Sequence, residues 1–283
     1  MRKMILAAVM MLALAGVTTA QDTPKWEVFG GYSLMKGDLL KDNGLMFGGM
    51  SPSRSLAYDS PAGYGAGTSE AVISNGFDLA LTRNLNSWAG IKANFSSHYG
   101  SLDMDGLYES SYDNEYYGDS STDSVSYSGK VDYRRYNVLL GPQFSWNNDS
   151  VVRPFAHALF GVSKMTADDL KVDYVYSYLE EYGEGSYSDE QGGTLTGSLK
   201  GDTNFAMALG GGLDLKAGKH VSVRLIQVDY VPTYNRITTD LTMTDRNYDG
   251  DELYSTHVDR VRTTGGSGRY NNLKLSFGVV FNF

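Results

Sequence analysis

The strongest constraint on this chain is the alternation of its last eleven residues, Leu273 to Phe283. Every second residue from Leu273 onward is Leu, Phe or Val, while Lys274, Ser276 and Asn282 fall between them. Successive side chains of a β-strand point to opposite faces, so the segment predicts a strand with one apolar and one mostly polar face. About ten alternating residues is the length that crosses a bilayer at the tilt of a barrel strand.

Seven further segments show strand-like alternation, and the connections between the eight segments are long and short in turn. The seven are 25–34, 73–82, 88–99, 130–146, 152–164, 204–216 and 221–234. Short turns on one side and long loops on the other are typical of a membrane barrel, which must close because hydrocarbon cannot satisfy a strand edge. We therefore expect an all-β fold over residues 21–283: a closed, antiparallel, up-and-down, eight-stranded transmembrane β-barrel with long extracellular hairpin loops. Residues 170–182 and 237–244 also have strand patterns, which predicts strands that continue above the membrane.

The N-terminus resembles a cleaved export signal. Arg2 and Lys3 precede an apolar run that is too short for a membrane helix, and small residues end at Ala20. We expect residues 1–20 to be a signal peptide and the mature protein to lie in the cell outer membrane. Removing Arg2 and Lys3 would change the formal net charge from −9 to −11, which argues against a nucleic-acid partner. The absence of cysteine excludes disulfides and thiolate metal sites.

Large aromatic residues fall at one predicted rim of the barrel. In up-and-down order, the three tryptophans and the C-terminal residue all lie at strand ends on the periplasmic side. Aromatic girdles mark the interface between membrane and water. We expect this interface girdle to consist of Trp26, Trp88, Trp146 and Phe283.

In its eight predicted strands, in their alternating long and short connections and in its C-terminal segment, the chain resembles the OmpA/OmpX-type outer-membrane barrels of Gram-negative cell envelopes, in their stand-alone form. The resemblance rests on the pattern of residues 25–283, on 26–33, 154–161 and 224–230, and most specifically on the terminal Phe277–Phe283 segment. It implies contact with outer-membrane lipid and lipopolysaccharide, and recognition of Phe283 by the outer-membrane assembly machinery. The peptidoglycan-binding domain of OmpA itself has no counterpart, so we expect no wall-tethering role.

Charged residues occur on the inward faces of the predicted strands. We expect an ion-pair network that fills the lumen, because an eight-stranded barrel is just wide enough for side chains to pack inside. Its predicted members are Glu27, Asp78, Lys92, Arg135, Asp214, Arg224, Asp229 and Lys274. A narrow conducting path for ions or solutes is the alternative, which would make the protein porin-like. Arg224 has the opposite parity to Gln227 and Asp229, so either a bulge turns all three inward or one set faces lipid.

An outer-membrane hydrolase or acyltransferase is a second alternative, because such enzymes combine His with Ser and an acid. His98 and His257 are the candidates, with Ser96 and Ser97 close in sequence. No G-x-S-x-G elbow is present. We therefore expect no catalytic residues, no enzyme activity and no cofactor.

The segment Asp245, Asn247, Asp249 and Asp251 matches the start of a calcium-binding loop. Its twelfth position is Thr256, which lacks the bidentate carboxylate that completes such a loop. We expect a solvated acidic hairpin with a turn at Asp249-Gly250, and at most weak Ca²⁺ binding.

The long loops interleave tyrosine with acidic residues and serine. Tyrosine provides contact area at low entropic cost, so an adhesion-like extracellular partner is one hypothesis for these loops, and plain solvated decoration is the default. The leading hypothesis is an outer-membrane barrel with a structural or surface-interaction role. A secreted, soluble lipocalin-like barrel is the rival fold, and it requires the apolar strand faces to point inward.

Overall fold

The computed structural model describes residues 24–37, 45–46, 65–66, 72–103, 106–114, 119–146, 150–182, 185–249, 252–264 and 268–283. The predicted signal peptide, residues 1–20, lies outside these ranges. All regular elements in the described ranges are β-strands that pair antiparallel, which confirms the all-β prediction. The described residues contain no helix with the length and apolar character needed to span a membrane.

The strands are named in chain order. They are β1 (Trp26–Gly37), β2 (Leu45–Met46), β3 (Gly65–Ala66), β4 (Val72–Asn84), β5 (Ala89–Asp103), β6 (Gly106–Asn114), β7 (Asp119–Ser145), β8 (Val152–Tyr182), β9 (Gly185–Gly201), β10 (Asn204–Lys216), β11 (Val221–Tyr230), β12 (Thr233–Asn235), β13 (Ile237–Asp249), β14 (Glu252–Thr264), β15 (Gly268–Tyr270) and β16 (Asn272–Asn282).

Eight of these strands pair in a closed cycle. β1 pairs with β4, β4 with β5, β5 with β7, and β7 with β8. β8 then pairs with β10, β10 with β11, β11 with β16, and β16 returns to β1. These eight strands contain the eight segments that alternation predicts. Pairing of the first strand with the last leaves no free edge within the cycle.

The alternating sequence places apolar side chains on the outside of the cycle. In β16, Leu273, Phe277 and Phe281 are 46%, 51% and 47% exposed, whereas Lys274, Ser276 and Asn282 are buried. The same arrangement recurs in β4, where Leu79 is exposed and Asp78 is fully buried. This orientation is opposite to that of a lipocalin-like barrel, so the lipocalin-like arrangement of the strand faces is wrong.

A bulge in β11 resolves the parity conflict of the seventh strand. The register of β11 against β16 shifts between Arg224 and Gln227, and β10 shifts between Leu213 and Asp214 opposite it. Leu225 and Ile226 therefore both face outward, at 52% and 44% exposure. Arg224, Gln227 and Asp229 are all buried.

β7 and β8 continue beyond the cycle and carry an additional sheet. β9 pairs with β8 and β13, β13 pairs with β14, and β6 pairs with β7. Residues 170–182 and 237–244, predicted as strands, lie within β8 and β13. We call this side of the molecule the hairpin end, and the side that holds Trp26 and Phe283 the terminal end. β13 and β14 form the predicted hairpin with Asp249 opposite Glu252, while Gly250 and Asp251 lie outside the described residues.

The inner face of this sheet is apolar, and its cluster of buried side chains packs against Val72 at the start of β4. Its side chains come from β7, β8, β9 and β13, and each is at most 5% exposed. They are Val131, Tyr133, Met165, Ala167, Leu170, Val172, Leu195, Leu199, Leu241 and Met243. Burial of this cluster anchors the long hairpins to the rim of the cycle.

Candidate functional site: the charged interior

The interior of the cycle holds all of the charged residues that sequence parity places there. None of them is more than 5% exposed. They are Glu27, Asp78, Lys92, Arg135, Asp214, Arg224, Asp229 and Lys274. A buried charge is costly unless it is paired and hydrogen-bonded, so the partners of each group determine what this interior can do.

Lys274 joins two carboxylates at the centre of the interior. Its Nζ donates to Asp78 Oδ2 at 2.8 Å and lies 3.1 Å from Asp229 Oδ2. The Ser276 hydroxyl donates to the same Asp78 oxygen at 2.9 Å, and the Gln227 amide donates to Asp229 at 2.6 Å. Asn94 Nδ2 also donates to Asp78 Oδ1 at 2.5 Å, so Asp78 has one cationic and two neutral donors.

Lys92 and His157 continue the network of polar contacts from Asp229 across the interior. His157 Nε2 lies 2.9 Å from Asp229 Oδ1, and His157 Nδ1 lies 3.4 Å from Lys92 Nζ. Lys92 also donates to Gln227 Oε1 at 3.4 Å and lies 5.2 Å from the centre of the Phe155 ring. Among the described residues, Lys92 forms no ion pair with a carboxylate, so amide, imidazole and aromatic groups solvate its charge.

Arg224 occupies a layer nearer the terminal end. Its Nε and NH2 donate to the two oxygens of Asp214 at 2.8 and 3.0 Å, which is the bidentate geometry that arginine favours. The rings of Phe29 and Phe155 lie on the guanidinium, with centroids 4.3 and 4.1 Å from its Cζ. This stacking replaces the hydration that the cation loses on burial.

Arg153 is a member of this layer that the sequence interpretation missed. Its NH2 lies 2.8 Å from Glu27 Oε1, and both side chains are buried. Arg153 shares the inward parity of Phe155 and His157, but it is the second residue of β8 and lies beside Pro154. The parity of the fifth strand is therefore the signal that could have identified it.

Arg135, at the hairpin end, differs from the expectation of an ion pair. Its guanidinium donates to Asn272 Oδ1 at 2.5 Å and contacts the sulfur atoms of Met35 and Met165 at 3.5 and 3.7 Å. No carboxylate of the described residues pairs with it. Arg135 lies beneath the apolar cluster of the hairpin end, so an amide and two thioethers replace an acid there.

Two glycines make room for these groups. A Cβ on Gly210 would overlap the Asp229 carboxylate, and a Cβ on Gly212 would lie 2.8 Å from the Phe155 ring. Both positions face the interior from β10 and pair with β11. The Gly210-Gly211-Gly212 stretch therefore permits close packing of larger groups from neighbouring strands.

The predicted aromatic girdle lies at the terminal end. Trp26 and Phe283 exchange backbone hydrogen bonds of 3.1 and 2.9 Å, and Trp88 accepts one from Ser145. Trp26, Trp88 and Trp146 are 41%, 59% and 64% exposed, and Phe283 is 67% exposed. Trp88 stacks on Phe144 with ring centroids 5.9 Å apart. The aromatic rings of these residues are therefore exposed on the outer face at the terminal end of the cycle.

The two histidines considered for catalysis lie in different environments. His98 is fully buried, and its Nε2 lies 2.9 Å from Ser33 Oγ. His257 is on β14, 3.2 Å from Asp259 and exposed on the outer sheet. The structure therefore does not bring His98 and His257 together, and neighbouring Ser96 and Ser97 are both buried, on opposite faces of β5.

Three of the four residues of the candidate calcium segment lie in a strand. Asp245, Asn247 and Asp249 lie within β13, where an extended backbone spaces them along one face and cannot wrap them around an ion. Asp245 accepts a hydrogen bond from the Tyr174 hydroxyl. The side chains of Asn247 and Asp249, and all of Asp251, lie outside the described part of the molecule. The loop geometry that the sequence match requires is absent from the described residues of β13.

No family model matches the chain, and no curated protein matches it. Among solved structures, the outer membrane protein OprG from Pseudomonas aeruginosa is 12% identical, with 92% of this chain and 96% of OprG covered and a TM-score of 0.43. Neisserial surface protein A is 10% identical, with coverage of 92% and 97% and a TM-score of 0.36. The outer membrane protein AlkL is 15% identical, with coverage of 94% and 93% and a TM-score of 0.37. These identities and TM-scores are too low to establish the fold, so the architecture is taken from the strand pairings of the chain itself.

Proposed function

We propose that this chain is an integral outer-membrane protein, an eight-stranded transmembrane β-barrel whose interior is sealed by ion pairs. In this proposal the barrel has a structural or surface-interaction role and no catalytic one. The observation that carries the proposal is the inversion of polarity in the closed cycle: Phe277 faces out and Lys274 faces in from the same strand. We call the outward-facing apolar side chains of the cycle the apolar belt. An exposed apolar surface of this extent would cause a soluble protein to aggregate, whereas it is the surface that lipid requires.

The membrane itself requires the cyclic pairing. A strand edge in hydrocarbon would leave backbone N–H and C=O groups without partners, and pairing of β1 with β16 supplies those partners. The rings of Trp26, Trp88 and Trp146 would then lie at the periplasmic interface. In this orientation, the β7–β8 extension and the β13–β14 hairpin project outside the cell.

The filled interior favours a sealed barrel over a conducting one. Arg153 on β8 pairs with Glu27 on β1, the strand opposite it in the cycle. Arg224 and Lys274 pair with Asp214 and Asp229 on neighbouring strands. At the hairpin end the buried apolar cluster contacts Arg135 through Met165. An ion would have to displace these paired charges and pass the apolar cluster. The surface-interaction role is supported by the sheet that extends beyond the belt, where Tyr187 is 52% exposed and lies near Tyr178.

Two measurements test this function. An epitope tag inserted between Tyr182 and Gly185, where β8 and β9 join, should be accessible to antibody on intact cells if the barrel has the proposed orientation. Purified protein in planar bilayers should show no steps of current above those of the empty membrane. A tag that becomes accessible only after cell lysis would contradict the orientation, and stable current steps would replace the sealed barrel with a channel.

A further inference from the structure

A cluster of three basic side chains lies on the outer face where the long strands leave the cycle. Arg134 on β7, Lys164 on β8 and Lys200 on β9 are all exposed. Arg134 pairs with Thr166, and Thr166 pairs with Lys200. Lys164 precedes Thr166 by two residues and therefore shares its face. The three cations thus surround Thr166, and we call them the basic cluster.

The spacing of the strands allows these side chains to converge. Neighbouring strands lie about 4.8 Å apart, so the backbones of Arg134 and Lys200 are roughly 10 Å apart across β8. Both side chains are long enough to reach over Thr166, whose hydroxyl adds a fourth donor. Guanidinium, ammonium and hydroxyl groups around one point form a donor set suited to the oxygens of a phosphate.

The charges of the basic cluster are not neutralised by the described part of the protein. No salt bridge joins Arg134, Lys164 or Lys200 to a carboxylate among the described residues. The exposed acids nearest in sequence, Asp132 and Asp202, each lie two residues from a cluster member and form no ion pair with it. On a chain with a formal charge of −9, three adjacent unpaired cations suit an anionic partner.

The position of the cluster indicates which anion is available. Lys164 pairs with Tyr136, and the next outward residues toward the terminal end are Val138 and Val162, which are 55% and 44% exposed. On the other side of the cluster, the nearest exposed residues of the extended sheet are polar, as Lys171 and Asp173 of β8 and Thr196 of β9 illustrate. The basic cluster therefore lies at the boundary between the apolar belt and the polar sheet. In a membrane, this is the level of lipid headgroups.

We propose that Arg134, Lys164 and Lys200 bind a phosphate group of an outer-leaflet glycolipid of the lipopolysaccharide class. This inference rests on the proposed function, since it requires the apolar belt to lie in the outer membrane. It adds a defined lipid site on the outer face between β7 and β9.

The test uses full-length protein, purified in detergent and examined by native mass spectrometry with lipid A that carries two phosphates. The test variant combines Arg134→Gln, Lys164→Gln and Lys200→Gln. The control variant combines Lys171→Gln, Arg260→Gln and Arg262→Gln, which remove equal charge from exposed positions on the extended sheet. Lipid A stripped of both phosphates, phosphatidylglycerol and inorganic phosphate are the comparison ligands.

We expect the test variant to bind the two-phosphate lipid at least about tenfold more weakly than the unaltered protein, with the control unchanged. Dephosphorylated lipid A should bind both proteins with equal, low affinity, and binding of the phosphorylated form should weaken with salt. Equal binding by test variant and unaltered protein, or equal loss in the control, would overturn the site. Tight binding of phosphatidylglycerol or inorganic phosphate that depends on the same three residues would replace the glycolipid by another phosphate source. Migration of each variant on an unboiled gel separates these outcomes from failure of the barrel itself.

Discussion

Leu225 and Ile226 are adjacent in the chain, yet both point outward from the cycle, at 52% and 44% exposure. A regular strand cannot do this, because successive residues alternate between faces. The bulge between Arg224 and Gln227 allows it, and it keeps the cationic and acidic groups on both sides of the pair inside.

The bulge predicts that Leu225→Lys and Ile226→Lys are both destabilising. Each would place a charge in lipid, at a cost of about 2–4 kcal/mol near the bilayer midplane. The free energy of unfolding, measured by denaturant titration in phospholipid bilayers, checks this. Val258→Lys, on the exposed outer face of β14, is the matched control and should cost little. Tolerance of either Leu225→Lys or Ile226→Lys would mean that one residue faces the interior.

Removing the central cation should be among the most damaging single changes. Lys274→Met would leave Asp78 and Asp229 buried without the ammonium that both contact, and breaking a buried pair in this way costs about 3–5 kcal/mol. The same bilayer titration measures the loss. Lys219→Met, at an exposed turn, should leave stability unchanged. The triple variant Lys274→Met/Asp78→Asn/Asp229→Asn should recover part of the loss, and a triple variant weaker than the single would contradict the assigned pairs.

The close contacts around Gly212 predict that this position does not tolerate a larger residue. Gly212→Ala would place a methyl group against the Phe155 ring and the Ile226 carbonyl, which forces Phe155 away from Arg224. We expect a loss of about 1–3 kcal/mol, as for overpacked cores. Gly218→Ala is the control, because nothing lies within 4 Å of a Cβ there. Equal stability of the two variants would show that neither the Ile226 carbonyl nor the Phe155 ring lies this close to Gly212.

The pairing of the first and last strands can be captured covalently, because the chain has no cysteine of its own. Tyr32 and Phe277 are register partners with ring centroids 5.5 Å apart. A Tyr32→Cys/Phe277→Cys variant should form a disulfide on mild oxidation, which changes the migration of the unfolded chain on a non-reducing gel. Tyr32→Cys/Phe281→Cys is offset by four residues and should not cross-link. Cross-linking of the offset pair alone would require a different register.

Alternation was sufficient to predict the eight strands of the cycle because each has a polar interior face and an apolar exterior face. In β16 and β4, buried and exposed positions alternate along the strand, so polar and apolar residues alternate in the sequence. β14 was expected only as the second strand of the hairpin at Asp249-Gly250, and no sequence pattern identified β6 or β9. β9 contains mainly Gly, Ser and Thr, and only Leu195 and Leu199 mark its inner face, so its periodicity is faint.

The interior was predictable by parity but its pairing was not. Parity placed Lys92 and Arg135 inside correctly, yet neither finds a carboxylate among the described residues, because distance across the interior depends on strand stagger. Stagger is fixed by the register of eight pairings and by the bulge in β11, and a single sequence does not specify either. Arg153 was missed for a local reason, since it lies at the start of β8, between Val152 and Pro154.

The most direct test of the membrane barrel is heat-modifiability on a denaturing gel, using outer membranes extracted with mild detergent. A closed barrel resists unfolding by the gel detergent until it is boiled, because no strand edge is free to open. We predict that the protein is in the outer-membrane fraction and that its unboiled band migrates differently from its boiled band. A protein found in the soluble fraction, with one band under both conditions, would contradict it.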